Sequence, residues 1–144
     1  MSALRDRIFA VIGKRHLASF ATITEDGRPW VRYVMPIASA DLTIRFSTFA
    51  GSRKVTQINK NPEVHLTCGV SDPDTDTIYL QIQGNAEFVT TEEERSAYWH
   101  DFLKSYFSGP DDPHYGIIRI TPYRIEVYDM KSRNPEVWEA ATPI

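Results

Sequence analysis

Apolar and polar residues alternate along several short stretches of the chain, as they do in strands that bury one face. From Leu42 to Ser47 every second residue is apolar and the residues between them are polar. Turn-forming pairs separate such stretches, and Asp26-Gly27 favours a tight hairpin. The pattern predicts strands over residues 17–24, 30–39, 42–48, 63–70, 78–89, 116–121 and 123–128, the last two broken at Pro122.

Three further segments have the spacing of helices. Residues 3–15 place their apolar side chains on one stripe, namely Leu4, Ile8, Val11 and Ile12. The other two helices are predicted over residues 52–59 and about 90–107. Short turns between strands, without strand–helix–strand alternation, predict a mainly β fold: a six-stranded antiparallel barrel with helices outside. This pattern alone does not distinguish one kind of small barrel from another.

Length and charge limit the possible functions. A chain of 144 residues suits one domain, which we assign to residues 1–130, followed by a C-terminal tail over residues 131–144. The net charge of −3 argues against general binding to nucleic acid, so a basic site would be local and would suit a small anion. We find no signal peptide and no apolar run of membrane-spanning length, and we expect a cytoplasmic protein.

Several other residues have structural interpretations. Cys68 is the only cysteine and shares a strand face with apolar residues, which favours a buried core thiol. The four histidines are scattered without the spacing of metal ligands, so we predict no metal site. The acidic run at residues 71–76 is interpreted as a solvated turn. The aromatic residues at helical spacing are interpreted as packing rather than as a substrate platform: Trp99, Phe102, Tyr106 and Phe107.

The segment Gly51-Ser52-Arg53-Lys54 carries the clearest chemistry. Gly51 permits a sharp turn, and Ser52 is a good N-cap for the second helix. Arg53 and Lys54 then lie at a helix N-terminus, where each positive charge opposes the helix dipole at a cost of roughly 0.3–1 kcal/mol. An anion bound there would offset that cost, and phosphate is the obvious candidate. Taken alone, the segment also fits a solvated Arg–Lys pair on a surface turn.

The preceding strand changes the balance between these interpretations. Arg32 and Val34 lie on one face of that strand, from which Arg32 can reach the same anion. Together, the two segments resemble the FMN-binding split-barrel family typified by pyridoxamine 5'-phosphate oxidase. The resemblance is dense over residues 28–60, spans roughly residues 5–130, and rests on Arg32, Val34, Thr48, Gly51, Ser52, Arg53 and Lys54.

The resemblance implies a split barrel with FMN as its cofactor. The strand end and helix start would hold the phosphate together with Arg32, through Ser47, Thr48, Ser52, Arg53 and Lys54. The isoalloxazine ring would lie along Tyr33, Val34 and Met35. Polar residues of strand 78–89 would reach the flavin across the interface of a homodimer, namely Tyr79, Gln81 and Gln83. Independently of the resemblance, Trp138 is a lone tryptophan among the polar residues of the tail, and we give even odds that it folds over a partner subunit or the flavin edge.

The C-terminal region departs from the oxidase. The chain ends in Arg124-Ile125-Glu126-Val127-Tyr128 and a polar tail, without the oxidase's closing segment or its substrate-binding Arg-x-His pair. This ending resembles the general-stress-protein branch of the family. We therefore expect a flavoprotein that is an oxidoreductase on an unidentified small molecule, with catalytic residues unknown, and not a pyridoxamine 5'-phosphate oxidase. The alternatives are a non-enzymatic flavin-binding stress protein and an F420-dependent reductase.

Overall fold

A computed structural model describes residues 2–141 of the chain. Its helices are α1 (Ala3–Ile12), α2 (Arg53–Lys60) and α3 (Glu92–Tyr98), with a 3-10 helix at Asp101–Ser105. Its strands are β1 (Ala18–Ile23), β2 (Pro29–Val34), β3 (Ile37–Ala38), β4 (Ile44–Phe49), β5 (Glu63–Cys68), β6 (Ile78–Val89), β7 (Tyr115–Asp129) and β8 (Glu136–Glu139). No helix within these residues is long and apolar enough to cross a membrane.

The strands form one antiparallel sheet in the order β2-β1-β5-β6-β7-β4-β3, and β8 pairs with β7 off this path. The sheet curls around a core in which Phe20, Leu66, Ile82 and Ile120 are almost completely buried. The alternation of apolar and polar positions places these side chains inside the barrel and the intervening residues on its outer face. The predicted fold, a mainly β split barrel with flanking helices, is confirmed.

The sheet has eight strands rather than six because the chain changes partner at a proline and adds a short strand at its end. The predicted strand 30–39 is two strands: β2 pairs with β1 as far as Val34, and β3 pairs with β4 from Ile37. Pro36 lies between them and has no N–H to donate to a ladder. The switch of partner at this point carries the chain from one edge of the sheet to the other.

Pro122 does not break the last strand, contrary to the sequence prediction. β7 is continuous over 15 residues, and Pro122 pairs opposite Gly84 where the register of β6 shifts. A bulge leaves one ladder position unpaired, so the missing N–H of proline is tolerated there. Gly84 is required by the close approach of the two strands, since a Cβ atom on it would lie 2.9 Å from the carbonyl oxygen of Thr121.

We predict that Gly84→Ala destabilises the fold by about 1–3 kcal/mol, because the added methyl group meets backbone as well as the Ile120 side chain. Urea unfolding measures the loss. The matched control is Gly51→Ala, where an added Cβ would have nothing within 4 Å. Equal stabilities of the two variants would show that β6 and β7 separate easily at the bulge.

The third helix is shorter than predicted. α3 ends at Tyr98, Trp99 takes an extended ψ of 135°, and the chain continues as the 3-10 helix. The break allows Leu103 and Phe107 to pack on Tyr115 and Ile117 in a small second core. A continuous helix over 90–107 was predicted from the spacing of aromatic residues, but tertiary packing on β7 takes precedence over that local pattern.

The C-terminal tail contributes to the sheet. Within residues 131–144, β8 pairs with β7 so that Trp138 lies opposite Ile125, and its side chain packs against the barrel core of its own chain. The sequence prediction did not foresee this packing of Trp138 within its own chain, and a contact with a partner subunit or the flavin edge stays a prediction. Residues 142–144 of the tail lie outside the described residues. Cys68 is buried as predicted, and burial raises the pKa of its thiol to about 12.

Candidate functional site

A cleft of about 280 Å³ opens between β2, β4, the start of α2 and the segment from α3 through the 3-10 helix. Six of the predicted site residues line it: Tyr33, Val34, Met35, Ser47, Thr48 and Lys54. β2 supplies Tyr33 and Val34, and Met35 directly follows its end. β4 supplies Ser47 and Thr48 at the end of its pairing with β7. The structure therefore brings together the two segments on which the sequence prediction rested.

The N-terminus of α2 lies at one end of this cleft and lacks a side-chain cap. Ser52 has the extended backbone of an N-cap, but its hydroxyl is 3.1 Å from Thr48 Oγ1 rather than on a helix N–H group. α1 and α3 differ, since Ser2 and Thr91 each accept a hydrogen bond from a backbone N–H of the first turn. The first turn of α2 also contains no acidic residue. The positive end of its dipole is therefore uncompensated.

Three cations surround this helix start: Arg32, Arg53 and Lys54. None of the salt bridges formed by residues 2–141 involves them, whereas Arg45 and Arg119 are both paired with Glu94. Burial lowers the pKa of Lys54, and the charge of Arg32 lowers it further. Burial also lowers the pKa of Arg32, with a contribution from Arg53. These mutually repelling charges form a site that an anion would stabilise.

Neighbouring side chains fix two of the cations. The Arg53 guanidinium lies over the indole ring of Trp30, 5.0 Å from its centroid, in a cation–π contact. Arg32 donates from Nη1 to Thr22 Oγ1 at 2.7 Å and from Nη2 to Gln57 Oε1 at 3.0 Å. The sequence prediction missed Trp30, Thr22 and Gln57. Thr22 did carry a signal, because it is a polar residue on the apolar face that β1 forms with Phe20.

The predicted site residues on β6 lie away from the cleft. Tyr79, Gln81 and Gln83 are on the outer face of the sheet, and β5 and β1 separate their strand from β2. The ring of Tyr79 packs on Tyr128 at 5.4 Å. Within one chain these side chains do not line the cleft, so contact with a flavin across a dimer interface stays a prediction.

The wall opposite β2 was not predicted as part of the site. It includes Arg15, Tyr98, His100, Phe102 and Tyr106. Trp99 and Phe107 pack on Tyr115, as the predicted packing stripe requires, although Phe107 also reaches the cleft. Phe102 and Tyr106 line the cleft and are each 54% exposed.

Two titratable groups of this wall are shifted by their surroundings. Burial raises the pKa of Tyr98, opposed by the charge of Arg15 and by the Ser47 backbone. Burial and the charge of Arg15 lower the pKa of His100, opposed by the charge of Asp101. The cleft is thus cationic at the α2 end and aromatic, with one further arginine, along the opposite wall.

The fold and the site define a class: split-barrel proteins in which an uncapped helix start bearing several cations lies at one end of an apolar cleft. A family model described as pyridoxamine 5'-phosphate oxidase matches residues 4–129. The chain belongs to this family, as the sequence resemblance predicted.

Relatives place the chain near the general stress proteins of the family. It is 27% identical over 132 residues to General stress protein 26 of Bacillus subtilis, an alignment that covers 92% of this chain and 93% of that protein. The crystal structure of General Stress Protein 26 from Bacillus anthracis has the same fold, with a TM-score of 0.81 and 24% identity over 96% of this chain and all of that one.

Two other solved structures of the same fold are described by their ligands. One is a pyridoxamine 5'-phosphate oxidase-related, FMN-binding protein from Nostoc punctiforme, with a TM-score of 0.68 and 16% identity over 85% of this chain and 78% of that one. The other is an F420 reductase, with a TM-score of 0.63 and 22% identity over 81% of this chain and 93% of that one. At these identities the comparison shows the shared fold.

Proposed function

We propose that this chain is a flavoprotein that binds FMN and serves as an oxidoreductase on a small molecule not yet identified. The observation that carries the proposal is the set of cations at the uncapped start of α2, which have no carboxylate partner within residues 2–141 and stand at the end of an apolar cleft. FMN combines a phosphate with a flat, largely apolar ring, so each end of the ligand matches one part of the site.

The residues present fit the cofactor. A phosphate needs charge-assisted donors, which Arg53, Lys54 and Arg32 supply, and the Thr48 and Ser52 hydroxyls 3.1 Å apart add neutral ones. Tyr33 on β2 is 76% exposed, and Met35, directly after the end of β2, is 48% exposed, so both could face the ring. When bound, FMN supplies hydride and electron transfer, and the protein supplies position and a dry environment.

A second copy of the chain is part of this proposal. Tyr33 and its strand neighbour Val31 are 76% and 63% exposed on the outer face of the barrel. Gln81 and Gln83 lie on the same outer face. A two-fold dimer through this face would bury the apolar side chains and bring those glutamines to the partner's cleft.

We predict that Val31→Lys converts the dimer to a monomer and weakens FMN binding, because it places a charge in the buried interface. Light scattering with refractive-index detection should give twice the chain mass for the wild type and the chain mass for the variant. Ala40→Lys is the control, since Ala40 is exposed in the turn before β4, away from this face. A wild-type monomer that retains flavin at micromolar concentration would contradict the dimer.

The cofactor itself is tested by the absorption spectrum of the purified protein, followed by denaturation and chromatography of the released ligand against FMN and F420. Release of FMN supports the proposal, and release of F420 favours the alternative of a deazaflavin-dependent reductase, for which the shared fold of the F420 reductase is the motivating observation. Failure of the apoprotein to bind either compound would overturn both.

Turnover is a separate question from binding. Steady-state oxidation of NADH or NADPH by the FMN-loaded protein, with a dye that accepts electrons from the reduced flavin as the terminal oxidant, distinguishes an enzyme from a stress protein that only binds the flavin. Oxidation no faster than that of free FMN at the same concentration would favour the non-enzymatic alternative.

A further inference from the structure

Buried polar side chains are concentrated at one place in this molecule. Within residues 2–141 three polar or charged residues are buried, Thr22, Thr48 and Gln57, and all three adjoin the cations at the start of α2. Burying a polar group is costly unless it is hydrogen-bonded, so a barrel gains nothing from placing polar side chains in its core without a partner for them. Thr22 and Gln57 share one partner, the guanidinium of Arg32.

The three side chains form a closed hydrogen-bonded triangle. Arg32 Nη1 donates to Thr22 Oγ1 and Nη2 donates to Gln57 Oε1, while the Thr22 hydroxyl donates its own proton to Gln57 Oε1. Nη1 also lies 3.2 Å from the carbonyl oxygen of Trp30. The guanidinium carbon stands 5.7 Å from the centroid of the Phe20 ring. These contacts from β1, β2 and α2 leave the arginine little freedom to change its rotamer.

Every acceptor around Arg32 is electrically neutral. A carboxylate is the ordinary partner for a part-buried arginine. Arg119 in this chain has two such partners, Glu87 and Glu94. At Arg32 an amide and a hydroxyl stand where a carboxylate would cancel the charge. The Nε–H group forms no hydrogen bond within residues 2–141 and is available to a ligand. Arg32 is therefore held in place with its full charge uncancelled.

We infer that Thr22 and Gln57 are positioning residues that fix Arg32 for the phosphate of the bound ligand, and that the neutrality of Gln57 is required for this role. The inference rests on the proposed function, because it needs a phosphate-bearing ligand at the start of α2. It predicts that Gln57→Glu, which replaces the amide by a carboxylate of the same size, weakens phosphate binding. The new carboxylate would form an ion pair with Arg32 and cancel the charge that the phosphate needs.

The test compares Gln57→Glu with wild type in binding FMN and riboflavin, which lacks the phosphate, by flavin fluorescence titration of the apoprotein. We expect FMN affinity to fall about tenfold or more, riboflavin affinity to stay the same, and the melting temperature of the apoprotein to stay the same or rise. Asn85→Asp is the matched control, since it adds the same charge at an exposed position of β6. Thr22→Val should also lower the FMN preference, and Thr22→Ser should retain it.

The outcomes separate this inference from the proposed function. If the wild type binds FMN no better than riboflavin, the phosphate site is wrong, and the proposed function and this inference both fall. If the wild type prefers FMN and Gln57→Glu keeps that preference in full, the positioning role alone is overturned. An equal loss of affinity for both ligands with a lower melting temperature would mean that Gln57 serves the fold only, which also overturns the inference.

Discussion

Replacing Arg53 and Lys54 together by alanine is expected to lower FMN affinity by roughly 10²–10⁴-fold, since each charge-assisted hydrogen bond is worth about 1.5–3 kcal/mol. Both side chains project from the first turn of α2, and this turn has no side-chain cap hydrogen bond and no acidic residue. Riboflavin should bind the variant as well as it binds the wild type, because it has no phosphate to lose contact with. Calorimetric titration of the apoproteins with both flavins measures the two affinities.

The control for this pair of substitutions removes two equal charges elsewhere. Lys131 and Arg133 lie exposed in the turn after β7, and their double alanine variant has the same net charge as the site variant. If both double variants lose FMN affinity to the same extent, the effect is one of overall charge and the phosphate assignment is wrong. Full retention of FMN by the site variant would contradict it directly.

The pH dependence of FMN binding gives the same site an independent check. Burial and Arg32 lower the pKa of Lys54 in the unliganded protein, and a bound phosphate would raise that pKa by favouring the charged ammonium. The contribution of Lys54 is therefore complete below its unliganded pKa and is lost as the pH rises through its liganded pKa. FMN affinity should fall on the alkaline side, and Lys54→Ala should remove that part of the fall.

The sequence was most informative where the function depends on neighbouring residues in the chain. Arg53 and Lys54 follow a turn and an N-cap, and Arg32 lies on a strand that the alternation identified. One local segment and one strand were therefore enough to predict the cluster of cations at the start of α2. The strand boundaries were less accurate. Pro36 marks a change of partner strand, whereas Pro122 does not interrupt β7. The effect of a proline on a strand depends on the strand that lies opposite it, which the sequence pattern does not show.

The remaining site residues depend on contacts between distant elements. Gln57 faces inward on α2 and accepts a hydrogen bond from Thr22, which is 35 residues earlier in the chain. Phe102 and Tyr106 reach the cleft because the third helix breaks at Trp99. Nothing in the spacing of these residues distinguishes a lining role from a packing role. Tyr79, Gln81 and Gln83 need a second chain, and their role stays a prediction for the dimer experiments.

The FMN-loaded protein is expected to show no oxidation of pyridoxamine 5'-phosphate above background, although the chain belongs to the family named for that reaction. The substrate would need a second phosphate site that holds its reacting carbon over the flavin, and positioning of this kind is worth up to ~7–11 kcal/mol of a reaction barrier. The arginines at the C-terminal end do not provide it. Arg119 is held by Glu87 and Glu94, and Arg124 is held by Glu126 and Glu139.

Arg15 stands on the opposite wall of the cleft beside His100, and burial together with the charge of Arg15 lowers the pKa of that imidazole. That wall therefore offers a substrate phosphate one guanidinium, where a dianion calls for several charged donors. The measurement is an aerobic assay that follows pyridoxal 5'-phosphate formation, on a preparation whose flavin is first shown to be reduced by dithionite and reoxidised by air. Turnover on the order of 1 s⁻¹ would lie in the ordinary range of enzymes. Such a rate would mean that Arg15 and the aromatic wall suffice to orient the amine.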